Sequence, residues 1–234
     1  MLVIGDVHGC YKTLKALLKQ FPNEEVCFVG DLIDKGPNSK SVVELVRDNG
    51  FLSVRGNHEE VLRKFINNQD NLWLNPNFGG DNTARNYGYY ENVKIKSLTA
   101  AKTELGTLAD IQWLTSLPLY LDFPNLVNGS GRRLFVTHST VGKVWHYRDK
   151  LEQNEIYKHS FNDQALWGRP RQIIEIPKVF NAFGHTPVYS AVLRDHYVNL
   201  DSGCFMGKMK TEGYSTLSAI LFPEMELVTQ KFCE

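Results

Sequence analysis

The chain opens on a short apolar run, Leu2 to Ile4, which breaks at once into Gly5-Asp6-Val7-His8-Gly9. The pattern returns twice. Val26 to Val29 runs into Gly30-Asp31-Leu32-Ile33-Asp34-Lys35-Gly36, and Phe51 to Val54 runs into Arg55-Gly56-Asn57-His58-Glu59. Each apolar run predicts a buried strand with a polar cluster at its carboxyl end, where open α/β sheets place their sites. Between the runs the period changes. Leu14, Leu17, Leu18 and Phe21 recur at helical spacing, so Tyr11 to Gln20 reads as an amphipathic helix. Asn38 or Ser39 is a good N-cap for a second helix carrying Val42, Val43, Leu45 and Val46, closed at Asn49-Gly50. Leu62, Phe65 and Ile66 form the inner face of a third, from Glu59 to Asn67. This β-α-β-α-β order predicts an α/β fold with a mainly parallel sheet.

Residues 68–121 break the rhythm with a stretch rich in Asn, Gly and aromatic residues, then mixed helical signals around Trp113, Leu114 and Leu117. They read as a largely helical insertion bordering the site, within one domain spanning 1–234. Strand-like runs resume at Leu134–Val136 before Thr137-His138, at Val179–Phe183 before Gly184-His185, and at Tyr197–Leu200 before Asp201. Ser215–Phe222 and Glu226–Phe232, separated by Pro223, read as a closing hairpin.

Composition narrows the class. The chain has 234 residues, 42% hydrophobic and 22% charged, which suits one globular domain with a full core. Lys plus Arg is 26 and Asp plus Glu is 26, so there is no basic excess of the kind nucleic-acid binders carry. Cys10, Cys27, Cys204 and Cys233 form no C-x-x-C pair, and a reducing cytoplasm is the simplest setting. Leu2 to Ile4 before Gly5 predicts no signal peptide, and no apolar stretch approaches membrane-spanning length.

Collected from the strand ends, the candidate metal ligands are Asp6, His8, Asp31, Asn57, His138 and His185. Carboxylate, imidazole and amide donors together suit first-row ions; manganese is taken first, with iron, zinc or nickel as alternatives. Such a set fits two divalent ions if one carboxylate bridges them. Roughly 3.5–4 Å apart, two ions clamp the attacking and leaving oxygens of an in-line displacement, with a metal-bound hydroxide as nucleophile. No serine or cysteine nucleophile is then required.

Gly5-Asp6-x-His8-Gly9, Gly30-Asp31-x-x-Asp34-x-Gly36 and Gly56-Asn57-His58-Glu59 resemble the signature blocks of the phosphoprotein phosphatase branch of the calcineurin-like metallophosphoesterases. The match is nearest to the small bacterial and phage-lambda-type protein phosphatases. Gly79-Gly80 with Thr83 and Tyr87-Gly88, Trp167-Gly168-Arg169, Gly184-His185-Thr186 and Asp201-Ser202-Gly203 resemble later blocks. The resemblance implies a β-sandwich of two mixed sheets flanked by helices. It implies that Asp6 and His8 hold the first metal, that Asp31 bridges, and that Asn57, His138 and His185 hold the second. It further implies that His58 protonates the leaving alkoxide, oriented by Asp34, while Lys35, Arg169 and Asn57 bind the phosphoryl group. Lys35 stands where the family usually has arginine, and keeps the charge without the planar fork. The expected activity is hydrolysis of phosphoserine or phosphothreonine in a protein or peptide. The alternative is symmetrical hydrolysis of dinucleoside tetraphosphates.

Overall fold

The computed structural model describes residues 1–91, 94–95, 98–169, 171–209 and 214–234. Three strand–helix units open the chain: β1 (Leu2–Ile4), α1 (Tyr11–Leu18), β2 (Val26–Phe28), α2 (Ser39–Asp48), β3 (Leu52–Ser53) and α3 (Asn57–Ile66). After a one-turn 3-10 helix (Leu72–Leu74) come α4 (Gly80–Asn86), β4 (Tyr90–Glu91), β5 (Lys94–Ile95), α5 (Leu98–Thr107) and α6 (Ala109–Ser116). This stretch covers the expected insertion, of which residues 92–93 and 96–97 lie outside the described set. The second half adds β6 (Tyr120–Val127), β7 (Arg133–Thr137), α7 (Glu155–Trp167), β8 (Val179–Phe183), β9 (Val192–Arg194), β10 (Tyr197–Asn199), β11 (Thr216–Leu221) and β12 (Glu226–Lys231).

Two five-stranded mixed sheets result, ordered β12-β11-β1-β2-β3 and β6-β7-β8-β10-β9, beside the small pair β4-β5. β1, β2 and β3 run parallel, as do β7, β8 and β10. The hairpin β11-β12 joins antiparallel to β1, so the first sheet is mixed rather than mainly parallel.

Strand periodicity builds the layers. In β1, Leu2 and Ile4 turn toward the helices and pack with Leu14, Leu17, Val42 and Val46, while Val3 turns the other way. Val3, Cys27, Val29 and Val54 of the first sheet meet Leu134, Val136, Phe180, Ala182 and Val198 of the second. The opposite face of the second sheet presents Phe135 to Phe161 and Ala165 of α7. Central strands buried on both faces must be apolar at every position, which is why their runs carry no alternation. A consequence for placement follows. The carboxyl ends of six parallel strands, three in each sheet, open on one edge of the sandwich. Among the described residues, no helix is long and apolar enough to cross a membrane.

Candidate metal and phosphate site

Asp6, His8, Asp31, Asp34, Asn57, His58, His138 and His185 all lie buried at this edge. Asp31 Oδ2 is central: it stands 3.4 Å from His8 Nε2, 3.5 Å from His138 Nε2 and 3.9 Å from His58 Nε2. The donor atoms of His8, Asp31 and His58 lie within 4.8 Å of one another, as do those of Asp6, Asp31 and His138. Asp31 is therefore common to both groups, and Asp6 clusters with His138 rather than with His8. Asn57 Oδ1 sits 2.8 Å from His138 Nε2 and 2.9 Å from His185 Nδ1, which are themselves 3.1 Å apart. The His185 backbone N–H donates to both oxygens of Asp6 at 3.3 and 3.1 Å.

The local route to this convergence is not an extended strand carried on through Asp6 and His8. β1 ends at Ile4, and His8 has φ 46°. Asp31, Asp34, Lys35 and His185 share the left-handed region, with φ 52°, 70°, 56° and 70°. Non-glycine residues in that region cluster where surroundings hold them against strain. Turns, not strand alternation, therefore bring the side chains together. The third motif differs as well: α3 begins at Asn57, two residues before the expected start, so Asn57 and His58 sit in its first turn.

Protonation chemistry decides what the cluster accepts. His8 Nδ1 donates to the Ile33 carbonyl and His138 Nδ1 to the Val29 carbonyl, each at 2.9 Å. A carbonyl only accepts, so the proton of each neutral ring lies on Nδ1 and a bare lone pair on Nε2. Both lone pairs face the Asp31 carboxylate, another acceptor. Burial lowers the His8 pKa and brings His138 down to about 3 and His185 to about 2, which keeps these rings neutral. Burial, followed by the charge of Asp201, raises Asp6; burial, followed by Glu59, raises Asp31. Imidazole lone pairs that converge on carboxyl groups, whose ionisation is opposed by burial and by one another's charge, fit divalent cations, whose charge offsets both costs.

Beside the acceptors stands the pair His58–Asp34, with Nδ1 2.7 Å from Oδ2. Burial raises the Asp34 pKa to about 7, against hydrogen bonds from Thr83 and Trp73 that lower it. Lys35 is half-buried, bonds through Nζ to the Asn77 carbonyl, and lies 5.9 Å above the Phe78 ring and 5.8 Å above Phe205. Arg169 is exposed, and its charge still bears on His138, His185 and Asp201. The Ser139 hydroxyl donates to the Gly168 carbonyl, tying the His138 turn to the Arg169 segment.

Several site residues escape a reading by motif ligands alone. Glu59 accepts from the backbone N–H groups of Asp31, Gly56 and Leu32 at 2.9, 2.8 and 2.8 Å and so shapes the Asp31 loop. Asp201 is buried beside Asp6 and raised to about 6 by burial. Its place directly after an apolar run was the signal that could have found it. Phe78 lies 4.5 Å from the His58 ring and Phe205 5.0 Å from His8, contacts that no spacing encodes.

Two mixed sheets flanked by helices, with this edge site, match the metallophosphoesterase fold. The chain belongs to the calcineurin-like phosphoesterase family, whose model matches residues 1–204, and is thus a hydrolase of phosphoric esters. It is similar to the asymmetrical bis(5'-nucleosyl)-tetraphosphatase PrpE of Oceanobacillus iheyensis, at 26% identity over 97% of this chain and 90% of that protein. It is also similar to serine/threonine-protein phosphatase 1 of Salmonella typhimurium, at 27% identity over 89% and 88%. A solved structure described as a candidate diadenosine tetraphosphatase shares the fold, with TM-score 0.64 at 20% identity over 100% of this chain and 93% of that one.

Proposed function

We propose that the chain is a two-metal phosphomonoesterase that removes phosphate from phosphoserine or phosphothreonine in proteins. The observation that carries this reading is the Asp31 carboxylate, whose Oδ2 lies 3.4 Å from His8 Nε2 and 3.5 Å from His138 Nε2, one ring from each proposed ion's set. On the family resemblance, Asp6, His8 and Asp31 would hold one ion, although Asp6 stands nearer to His138 here, and Asp31, Asn57, His138 and His185 the other, with manganese the first candidate. Two such ions supply an activated water and neutralise charge on the phosphoryl oxygens. The chain's own residues do the rest. Arg169 and Lys35 bring positive charge to the phosphoryl oxygens, Lys35 as a point charge held by the Asn77 carbonyl. Asp34 Oδ2 accepts a hydrogen bond from His58 Nδ1–H, which directs Nε2 toward the reacting group. An arriving phosphoryl anion favours the protonated ring, and His58 then delivers its Nε2 proton to the leaving alkoxide.

His58→Ala is expected to cut phosphopeptide turnover about 10²-fold with bound metal unchanged. A wild-type rate would remove the acid assignment. Gly184→Ala tests the donor set, because a Cβ there collides with Asp6 Oδ1. Divalent-ion affinity, read by calorimetric titration with manganese, is expected to fall roughly 10–100-fold, the scale of a disturbed metal-site support. Unchanged affinity would take Asp6 out of the set.

The similarity to PrpE over nearly the whole chain supports a second reading, hydrolysis of dinucleoside tetraphosphates. That relative is named asymmetrical, so the symmetrical cleavage given as the alternative is not the form it favours. Phosphopeptide and diadenosine tetraphosphate, assayed side by side with manganese, separate the readings. Higher efficiency on the peptide is expected. Higher efficiency on the dinucleotide overturns it, and AMP plus ATP rather than two ADP would identify asymmetrical cleavage.

A further inference from the structure

Asp34 divides its two oxygens between different tasks. Oδ2 faces His58 Nδ1 at 2.7 Å, while Oδ1 receives the Trp73 indole N–H at 3.1 Å and the Thr83 hydroxyl at 2.6 Å. The Thr83 oxygen also accepts from the Asp34 backbone N–H at 3.0 Å, so it grips the residue at both ends. Neither Trp73 nor Thr83 is adjacent to Asp34 in sequence. Trp73 lies in the 3-10 turn before α4 and is fully buried, with its ring 5.0 Å from Phe65; Thr83 lies in α4. The two are brought together by Gly79-Gly80: Gly79 has φ 82°, and a Cβ on Gly80 would collide with the Trp73 carbonyl.

We infer that Trp73 and Thr83 are positioning residues for the His58 acid, a role that rests on the general-acid reading above. A carboxylate turns easily about its terminal torsion. Two donors fixed on Oδ1 stop that rotation and leave Oδ2 aimed at the imidazole. The His58 proton is then held on Nδ1 in one orientation, and Nε2 points at the leaving group. Without the two donors, the same Asp34–His58 contact forms in several geometries, and proton delivery loses its direction.

Trp73→Phe removes the N–H and keeps an aromatic ring. Thr83→Val removes the hydroxyl at similar volume, and Thr83→Ser restores it. The manganese-loaded protein is assayed on a phosphoserine peptide, whose alkoxide needs a proton to leave, and on p-nitrophenyl phosphate, whose phenolate leaves unaided. For Trp73→Phe and Thr83→Val, kcat on the peptide is expected to fall about tenfold. On the aryl ester it should fall far less, with metal content and KM unchanged and Thr83→Ser near wild type. In the metal-free protein, the ring 15N shifts of His58 should report the Nδ1–H tautomer in wild type and a mixture in the double variant. Equal losses on both substrates, or no loss, overturn the inference when His58→Ala itself shows the leaving-group split; so does an unchanged tautomer population. If His58→Ala shows no split, the acid reading falls first and this inference with it.

Discussion

Asp31→Asn is expected to abolish stable divalent-ion binding and to lower phosphoester turnover roughly 10³-fold or more, the scale of losing preorganised charge stabilisation. The substitution keeps the side-chain shape and an oxygen for the His58 backbone N–H, which donates to Asp31 Oδ1 at 3.1 Å. What disappears is the charge at the one position common to both donor groups. The metal-free protein gives an independent check. There Asp31 lies buried among Asp6, Glu59, Asp34 and Asp201, whose charges penalise its ionisation. An amide relieves that repulsion, so metal-free Asp31→Asn should melt no lower than metal-free wild type. Wild type should gain stability on adding metal, about 2.7 kcal/mol at a hundredfold excess over Kd. The variant should gain none. Thermal scans with and without manganese decide the matter: a metal-dependent rise in the variant would mean that Asp31 does not join the two groups.

The order of strands was legible because buried parallel strands leave an unbroken apolar run, and the clusters after them were legible because glycine, carboxylate and imidazole seldom crowd together without cause. Less local features left weaker traces. β6 (Tyr120–Val127) was not foreseen: it is an edge strand, partly exposed, with Pro124 inside and a register shift between Phe123 and Val127. α7 was not foreseen either, since its apolar face is narrow and rests on Phe161, Ala165 and Leu166. Trp73 and Thr83 could be placed near the site by resemblance, yet their donation to one oxygen of Asp34 depends on how residues 73–86 fold back over the Asp34–Lys35 turn. That is tertiary information. Lys35 makes the same point: the sequence gives its charge, while the structure gives the Asn77 carbonyl and the two rings that hold it.

Glu59→Ala is expected to cost roughly 3–9 kcal/mol of stability, because three buried N–H groups lose a charged acceptor at about 1–3 kcal/mol each. Glu59 is fully buried, and the hydrogen bonds its carboxylate accepts come from backbone N–H groups, not from the side chain of a proposed ligand. One oxygen receives Leu32 N–H and the other receives Asp31 N–H and Gly56 N–H. The last of these caps the first turn of α3, where Asn57 and His58 reside. A single carboxylate thus fastens the loop after β2 to the helix after β3, and the backbone of Asp31 is pinned in its left-handed conformation. Alanine leaves those donors in a space closed to solvent. For a chain of this length, at about 2–4 °C per kcal/mol, the melting temperature should fall by about 6–36 °C. Glu59→Gln, which keeps an acceptor but sets an amide N–H against a backbone N–H, should fall between the two. The metal response separates this residue from Asp31: Glu59→Gln retains every proposed ligand, so excess manganese should restore part of its stability, whereas Asp31→Asn should remain unresponsive. A Glu59→Ala protein as stable as wild type would show that the three N–H groups find other partners, and that the loop holds its shape without the carboxylate.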